Sequence, residues 1–333
     1  QKQRLITAST LAMGQKIVIL DEPLANLDTA GAEMLMSTLK SLAKAGYCII
    51  VIEHRLDVVL PFVDKVFHVG NRNVNEITDR ENYLKEQSTE IEDTCSTFSG
   101  TLPAFSLADV AFSVKDRVIL NGVAFDILKG SRTVLFGENG CGKTTLLRLI
   151  SRLEKPTRGV ILQNISGKFG QKSKQSKKWY KKVGVVYQNP DYQLFMPTVE
   201  KEIKFGAKSD EYADEIAEKF GVKHLYVRHP QSLSEGQKRR VSIAAVVATA
   251  PEVLILDEPT VGQDYKGLCE MTEILNRIHE ETKNTMITVT HDKRCAAALC
   301  DRAVWIKDGK VRKTGGKELA EEFFKDPTGN AKN

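Results

Sequence analysis

Residues Gly137-Glu138-Asn139-Gly140-Cys141-Gly142-Lys143-Thr144-Thr145 stand between an apolar run at 133–136 and a stretch, 146–150, whose apolar residues fall at helical spacing. That order is strand, glycine loop, helix, the context that makes a glycine pattern a phosphate site. Glycine lets successive backbone N–H groups converge on an anion, and the positive end of the helix adds to the attraction. The pattern G-x-x-x-x-G-K-[ST] in this context reads as a phosphate cradle. Lys143 would reach the β- and γ-phosphates and Thr144 would give its hydroxyl to Mg²⁺. An ordinary glycine turn gives no reason for Lys-Thr-Thr.

A chain of 333 residues has room for about two domains at ~150 residues each. Its 41% of apolar residues is enough for buried cores. The net charge of +5 is mild, and Lys and Arg are nearly balanced by Asp and Glu, so charge alone calls for no nucleic-acid partner. Cys48, Cys95, Cys141, Cys269, Cys295 and Cys300 form no C-x-x-C pair, which indicates a reducing, cytosolic setting. No apolar run reaches the ~18 residues of a membrane span. The opening Gln1-Lys-Gln-Arg-Leu is neither a signal peptide nor a start methionine, and reads like the interior of a domain.

In order, residues 16–22 form an apolar run ending in Asp21-Glu22, a fully buried parallel strand if helices cover both faces of its sheet. A helix follows at 30–45, then a second buried strand at 48–52 ending in Glu53-His54, the run Val66-Phe-His-Val69, a polar turn at 70–73 and a helix-like piece near 81–86. Residues 87–106 are polar and rich in Ser and Thr, a linker, and a second domain runs over 107–333. It has a strand-rich stretch at 107–128, the phosphate loop, a lysine-loaded segment at 168–182, the run Val183-Gly-Val-Val-Tyr187-Gln188 and a helical region at 198–220. Next come Leu233-Ser234-Glu235-Gly236-Gln237, a strand ending in Asp257-Glu258, another ending before His291, and a strand–turn–strand at 303–311.

The two halves repeat. Gln1-Lys-Gln-Arg matches Gln237-Lys-Arg-Arg and Asp21-Glu22-Pro23 matches Asp257-Glu258-Pro259 at one constant offset, with His54 and His291 agreeing one residue later. Residues 1–86 are therefore expected to be the back end of a domain whose front is absent. A pair of carboxylates that merely capped a strand would not recur in this way.

As a set these residues resemble the nucleotide-binding domains of ABC ATPases, over nearly the whole chain apart from the linker. The resemblance implies an α/β fold of the P-loop NTPase ABC type: a mixed, mostly parallel sheet with a β-subdomain and a helical subdomain, complete in the second half. Gly137, Glu138, Asn139, Gly140, Cys141, Gly142, Lys143, Thr144 and Thr145 would be the Walker A loop holding ATP. Ser234, Gly236 and Gln237 of the signature would bind the γ-phosphate side of a nucleotide held by another domain, arranged head to tail. Thr144, Asp257 and Gln188 would serve Mg²⁺, Glu258 would orient or deprotonate the attacking water, and His291 would contact the γ-phosphate. Two positions depart from the pattern. Val114 stands where an aromatic commonly stacks on adenine, with Phe112 nearby, and Gln263 stands where the D-loop usually has Leu, although the first half has the ordinary Asn26-Leu27-Asp28. Alkylation of Cys141, inside the loop, is expected to weaken nucleotide binding.

Tyr187-Gln188-Asn-Pro-Asp-Tyr-Gln193-Leu-Phe195 and Glu53-His54-Arg55-Leu-Asp57 resemble the corresponding stretches of energy-coupling-factor importer ATPases. That resemblance implies a peripheral protein on the cytoplasmic face of the cell membrane. Its partners would be a transmembrane coupling protein, received near residues 188–195, and a small membrane subunit that captures a vitamin or cobalt or nickel ion; no nucleic acid is expected. The alternative is a soluble tandem ABC ATPase acting on ribosomes or nucleic acid, for which the lysines at 168–182 with Trp179 and Tyr180 are the footing.

Overall fold

The computed structural model describes residues 14–24, 27, 29–70, 72–86, 100–165, 168–170 and 177–325. The chain divides into two compact units, residues 1–90 with 263–265 and the remainder. In the first, β1 (Ile17–Asp21) pairs in parallel with β2 (Cys48–Ile52), and the helix α1 (Thr29–Lys44) connects them. Leu35, Met36 and Leu39 of α1 share a core with Leu24, Leu27 and Val58. A hairpin of β3 (Phe67–Gly70) and β4 (Asn73–Glu76) and a short helix at Arg80–Glu86 follow.

The condition for β1 and β2 to be fully buried, cover on both faces of their sheet, is not met among the described residues. Val18 is buried, whereas Ile17, Ile19, Ile50 and Ile52 are 64, 63, 47 and 50% exposed. Side chains alternate between the faces of a strand, and among the described residues of this unit the core with α1 lies on the Val18 face.

The second unit begins with β5 (Pro103–Val114) and β6 (Arg117–Leu128), followed by β7 (Arg132–Phe136) and α2 (Lys143–Ile150). β5 therefore starts inside the stretch read as linker, because Ala104 and Phe105 are buried in the core. Then come β8 (Arg158–Ile165), β9 (Lys168–Gly170), β10 (Val183–Val186), α3 (Val199–Lys204) and α4 (Asp210–Lys219). The helical region expected at 198–220 is thus two helices, each with its own cap, Thr198 and Ser209. The unit closes with α5 (Glu235–Ala248), β11 (Val253–Asp257), α6 (Tyr265–Thr282), β12 (Thr285–Val289), α7 (Lys293–Ala298), β13 (Arg302–Lys307), β14 (Lys310–Gly315) and α8 (Lys317–Lys325).

Six strands form one sheet in the order β10-β11-β12-β7-β13-β14, parallel except for β14; a second, antiparallel sheet has the order β6-β5-β8-β9. β7, β11 and β12 are buried at every residue, which is why their sequences run apolar without alternation. Pairing between β11 and β12 has the register of β1 with β2, so Val253, Ile255, Ile287 and Val289 are the counterparts of Ile17, Ile19, Ile50 and Ile52. All four lie in one core with Leu146, Leu149 and Ile150 of α2 and with Leu120 and Val123 of β6.

The strand that carries the phosphate loop is pinned at its other end. Arg132 donates from its backbone N–H, Nε and Nη2 to Asp301 and from Nη1 to Asn276 at 2.7 Å, and both ionic side chains are almost fully buried. Removing one partner of such a pair strands a buried charge. Asp301→Ala is expected to lose about 3–5 kcal/mol in urea unfolding, and a loss comparable to that of an exposed ion pair would show that the bridge does not anchor the sheet.

Candidate functional site

Gly137, Gly140 and Gly142 all take positive φ. At Gly137 a Cβ would sit 2.1 Å from the Ile306 carbonyl oxygen, and at Gly142 2.6 Å from Leu120, so the loop must be bare backbone at both positions. Gly142 caps α2 without a side-chain bond, leaving the first-turn N–H groups directed into the loop. Lys143 is buried to 6% exposure, its ammonium donating to the carbonyls of Gly137 at 2.7 Å and Glu138 at 2.9 Å. Glu138, Asn139, Gly140 and Thr144 are exposed.

β11 ends next to this loop with two carboxylates. Asp257 is hydrogen-bonded by Thr144, and burial pushes its pKa up against the pull of that bond and of Lys143. Glu258 adopts φ +52 and donates its N–H to Val289 of β12, which turns its side chain toward the segment after β12. Its carboxylate accepts from the His291 N–H at 3.1 Å, and the His291 imidazole lies 3.5 Å away. Burial is the main reason that its pKa is pushed up to about 8, with Asp257 adding to the rise. A carboxyl poised this way suits a general base at near-neutral pH.

Gln188 follows β10. Arg239 of α5 donates to its carbonyl oxygen and to that of Tyr187. No motif marks Arg239; its signal in the sequence is helical spacing, which puts it on the same buried side as Ser242 and Ile243. Ser234 caps α5, accepting from the Gln237 N–H while Gln237 Oε1 accepts from the Ser234 N–H, a capping box across the signature. The structure therefore brings Lys143, Thr144 and Asp257 together and Glu258 with His291, whereas Ser234 and Gln237 are engaged with each other at a helix N-terminus that also carries Gly236.

The first unit repeats part of this geometry. Glu22 has φ +43 and donates its N–H to Ile52, and His54 Nε2 lies 3.4 Å from Glu22. Here the pair is half exposed, and the His54 contact lowers the Glu22 pKa and raises that of His54.

Residues 1–4, Asn26, Asp28, linker residues 87–99 and, in the lysine-loaded segment, residues 171–176 with Lys172 and Lys174 lie outside the described residues. Trp179 is 7% exposed, its indole N–H donates to Gln163 at 2.8 Å and Arg152 stacks on its ring, so this aromatic is committed to packing rather than presented to a base. Val114 is 52% exposed at the end of β5, and Phe112 packs against the core. Cys141 is buried, and burial pushes its thiol pKa up despite Lys143, which makes it a slow nucleophile.

Two outcomes follow. Iodoacetamide should label exposed Cys48 well before Cys141, by mass spectrometry of timed samples; equal rates would mean that the loop does not shield its thiol. For Glu258, the folded state keeps a proton that the unfolded chain releases, from an ordinary pKa of 4.5 up to about 8. The wild type should therefore lose stability relative to Glu258→Gln as pH rises from ~5 to ~8; parallel urea midpoints across that range would show an ionised carboxylate.

Comparison with known proteins agrees with this geometry. The family model for the ABC transporter matches residues 120–261. Energy-coupling factor transporter ATP-binding protein EcfA2 of Enterococcus faecalis is 41% identical over 57% of this chain and 69% of its own length. EcfA2 of Halalkalibacterium halodurans is 38% identical over 61% and 76%. YkoD of Bacillus subtilis, an ATP-binding protein provisionally named for HMP/thiamine import, is 31% identical over 92% of this chain, which spans 63% of that relative's length. Among solved structures, cbiO1 from Clostridium perfringens, described as part of the ABC transporter complex cbiONQ, has a TM-score of 0.58 and 31% identity over 68% of this chain and 92% of its own. On the strength of these motifs, this geometry and these relatives, the chain belongs to the ABC transporter ATPases.

Proposed function

We propose that this chain is an ATP-hydrolysing subunit of an energy-coupling-factor type importer, peripheral on the cytoplasmic membrane face, for a vitamin or for cobalt or nickel. The observation that carries the reading is the surface just past Gln188. Tyr192, Phe195 and Phe205 are 79, 66 and 59% exposed, and the rings of the last two meet edge to face at 5.5 Å. Clustered exposed aromatics mark a protein interface, and this one begins at Tyr192, shortly after Gln188. It is the place for helices of a transmembrane coupling protein, and relatives named for energy-coupling factor share the family. Among the described residues no helix is long and apolar enough to cross a membrane, so the span is assigned to partners.

The donor set fits Mg²⁺: the Thr144 hydroxyl, the Asp257 carboxylate and the Gln188 carboxamide are hard oxygen ligands, few in number, as for a cation shared with phosphates. When bound, Mg²⁺ supplies charge neutralisation on the phosphates. Lys143 and the α2 N-terminus hold the phosphate chain, Glu258 takes or orients the proton of the attacking water, and His291 fixes that carboxylate. Ser234, Gly236 and Gln237 complete a site held by another domain, head to tail. The first unit is read as the back part of a second such domain. The apolar face bearing Ile17, Ile19, Ile50 and Ile52 supports this, because its counterpart is covered by the phosphate-loop helix.

Affinity purification of the tagged protein from detergent-solubilised membranes of its own cells tests the reading. A multi-span protein and a small hydrophobic subunit are expected by mass spectrometry. Ribosomal proteins or RNA without any integral membrane protein would overturn the transport assignment.

A further inference from the structure

The segment from Tyr187 to Gln193 is fastened to α5 at three places, and no nucleotide-binding motif includes the residues that do it. Arg239, 3% exposed, donates from Nη1 to the Tyr187 carbonyl at 2.9 Å and from Nη2 to the Gln188 carbonyl. Lys238 donates to Asp191 at 2.9 Å and to Glu235 at 3.3 Å. Gln193 accepts the Tyr187 N–H at 2.9 Å and donates to the Ser242 carbonyl of α5 at 3.3 Å. Tyr187 is thus held to the signature helix through both its N–H and its C=O.

A buried guanidinium is a costly way to fill space. Its Nε finds no partner among the described residues, while the charges of Glu258 and Asp257 offset part of its desolvation. What it provides is a planar fork that grips two successive carbonyls, a geometry lysine cannot reproduce. We propose that Arg239 is a positioning residue for Mg²⁺ binding: it locks the Tyr187–Gln188 backbone to α5, so that the Gln188 carboxamide meets the metal only in register with the signature helix. This rests on the reading of Gln188 as a metal-facing residue. Groups that orient a ligand from outside the coordination sphere commonly carry ten- to a hundredfold of metal affinity.

The test is titration of the full chain with N-methylanthraniloyl-ATP, once with excess Mg²⁺ and once with EDTA. Arg239→Met should cut the Mg²⁺-dependent gain in nucleotide affinity by about tenfold while leaving the metal-free affinity in place. Arg239→Lys should recover part of the gain, and Gln188→Ala/Arg239→Met should be no worse than Gln188→Ala. Loss of both affinities together, an intact Mg²⁺ gain, or additive losses in the double variant would each overturn the proposal. Should Arg239→Met fail to fold, Gln193→Leu releases Tyr187 from the other side and is read by the same criteria. A Gln188→Ala protein that keeps its full gain would remove the metal role of Gln188 itself, and the proposal with it.

Discussion

Asp257 and Glu258 are acids at the end of a strand that is buried along its whole length, and the cost of that burial organises the second unit. Two adjacent carboxylates taken out of water repel each other and favour protonation. The surroundings answer with cations and donors drawn from three separate parts of the chain: Lys143 and Thr144 at the start of α2, Arg239 on α5, and the His291 N–H beyond β12. None of these is near Asp257 in sequence. The parallel sheet is what gathers them, since β7, β11 and β12 all point their carboxyl ends the same way, and a phosphate site at that edge is the usual consequence.

The two copies of the Asp-Glu strand show how much of this chemistry comes from the covering layer. Glu22 and Glu258 share the left-handed backbone turn and the 2.9 Å bond to the neighbouring strand, and each has a histidine at about the same distance. Yet the Glu22 pKa is lowered by His54 while that of Glu258 is raised by burial. The backbone is local and is repeated with the sequence; the electrostatics depend on what packs over the sheet. In the second unit that layer is α2 and the antiparallel strands.

Motif residues and central strands were legible because each rests on short-range constraints: glycines that no side chain can replace, and unbroken apolar runs, which β7, β11 and β12 bury on both faces. The bare face of β1 and β2 was not, since an isoleucine in a strand looks the same whether or not a second layer is present. Nor was the start of β5 at Pro103, where the Ser- and Thr-rich composition hides the buried Ala104 and Phe105. The helix break between Lys204 and Asp210 left a trace in Gly206, at φ +76. Arg239 is the instructive miss. A basic residue in a run of basic residues reads as solvated surface; its spacing to Ser242 and Ile243 is the one trace of a buried side, and the contact with Tyr187 and Gln188 shows what it holds there.

The same contacts join the exposed aromatics to the chemistry. Glu202 of α3 is 3% exposed and accepts the N–H groups of Phe195 and Met196 at 2.9 and 2.7 Å, so the aromatic surface is hung from a buried carboxylate rather than from a loose loop. α3 packs with α5 in the helical core through Val199 and Ile203. From Phe195 inward, each link is a partly buried hydrogen bond or a packed helix, through α5 and Arg239, to the backbone of Gln188. A partner that shifted this surface would move the carboxamide and the signature helix as one body, because separating them requires exposing a guanidinium whose carbonyl partners lie on the other side.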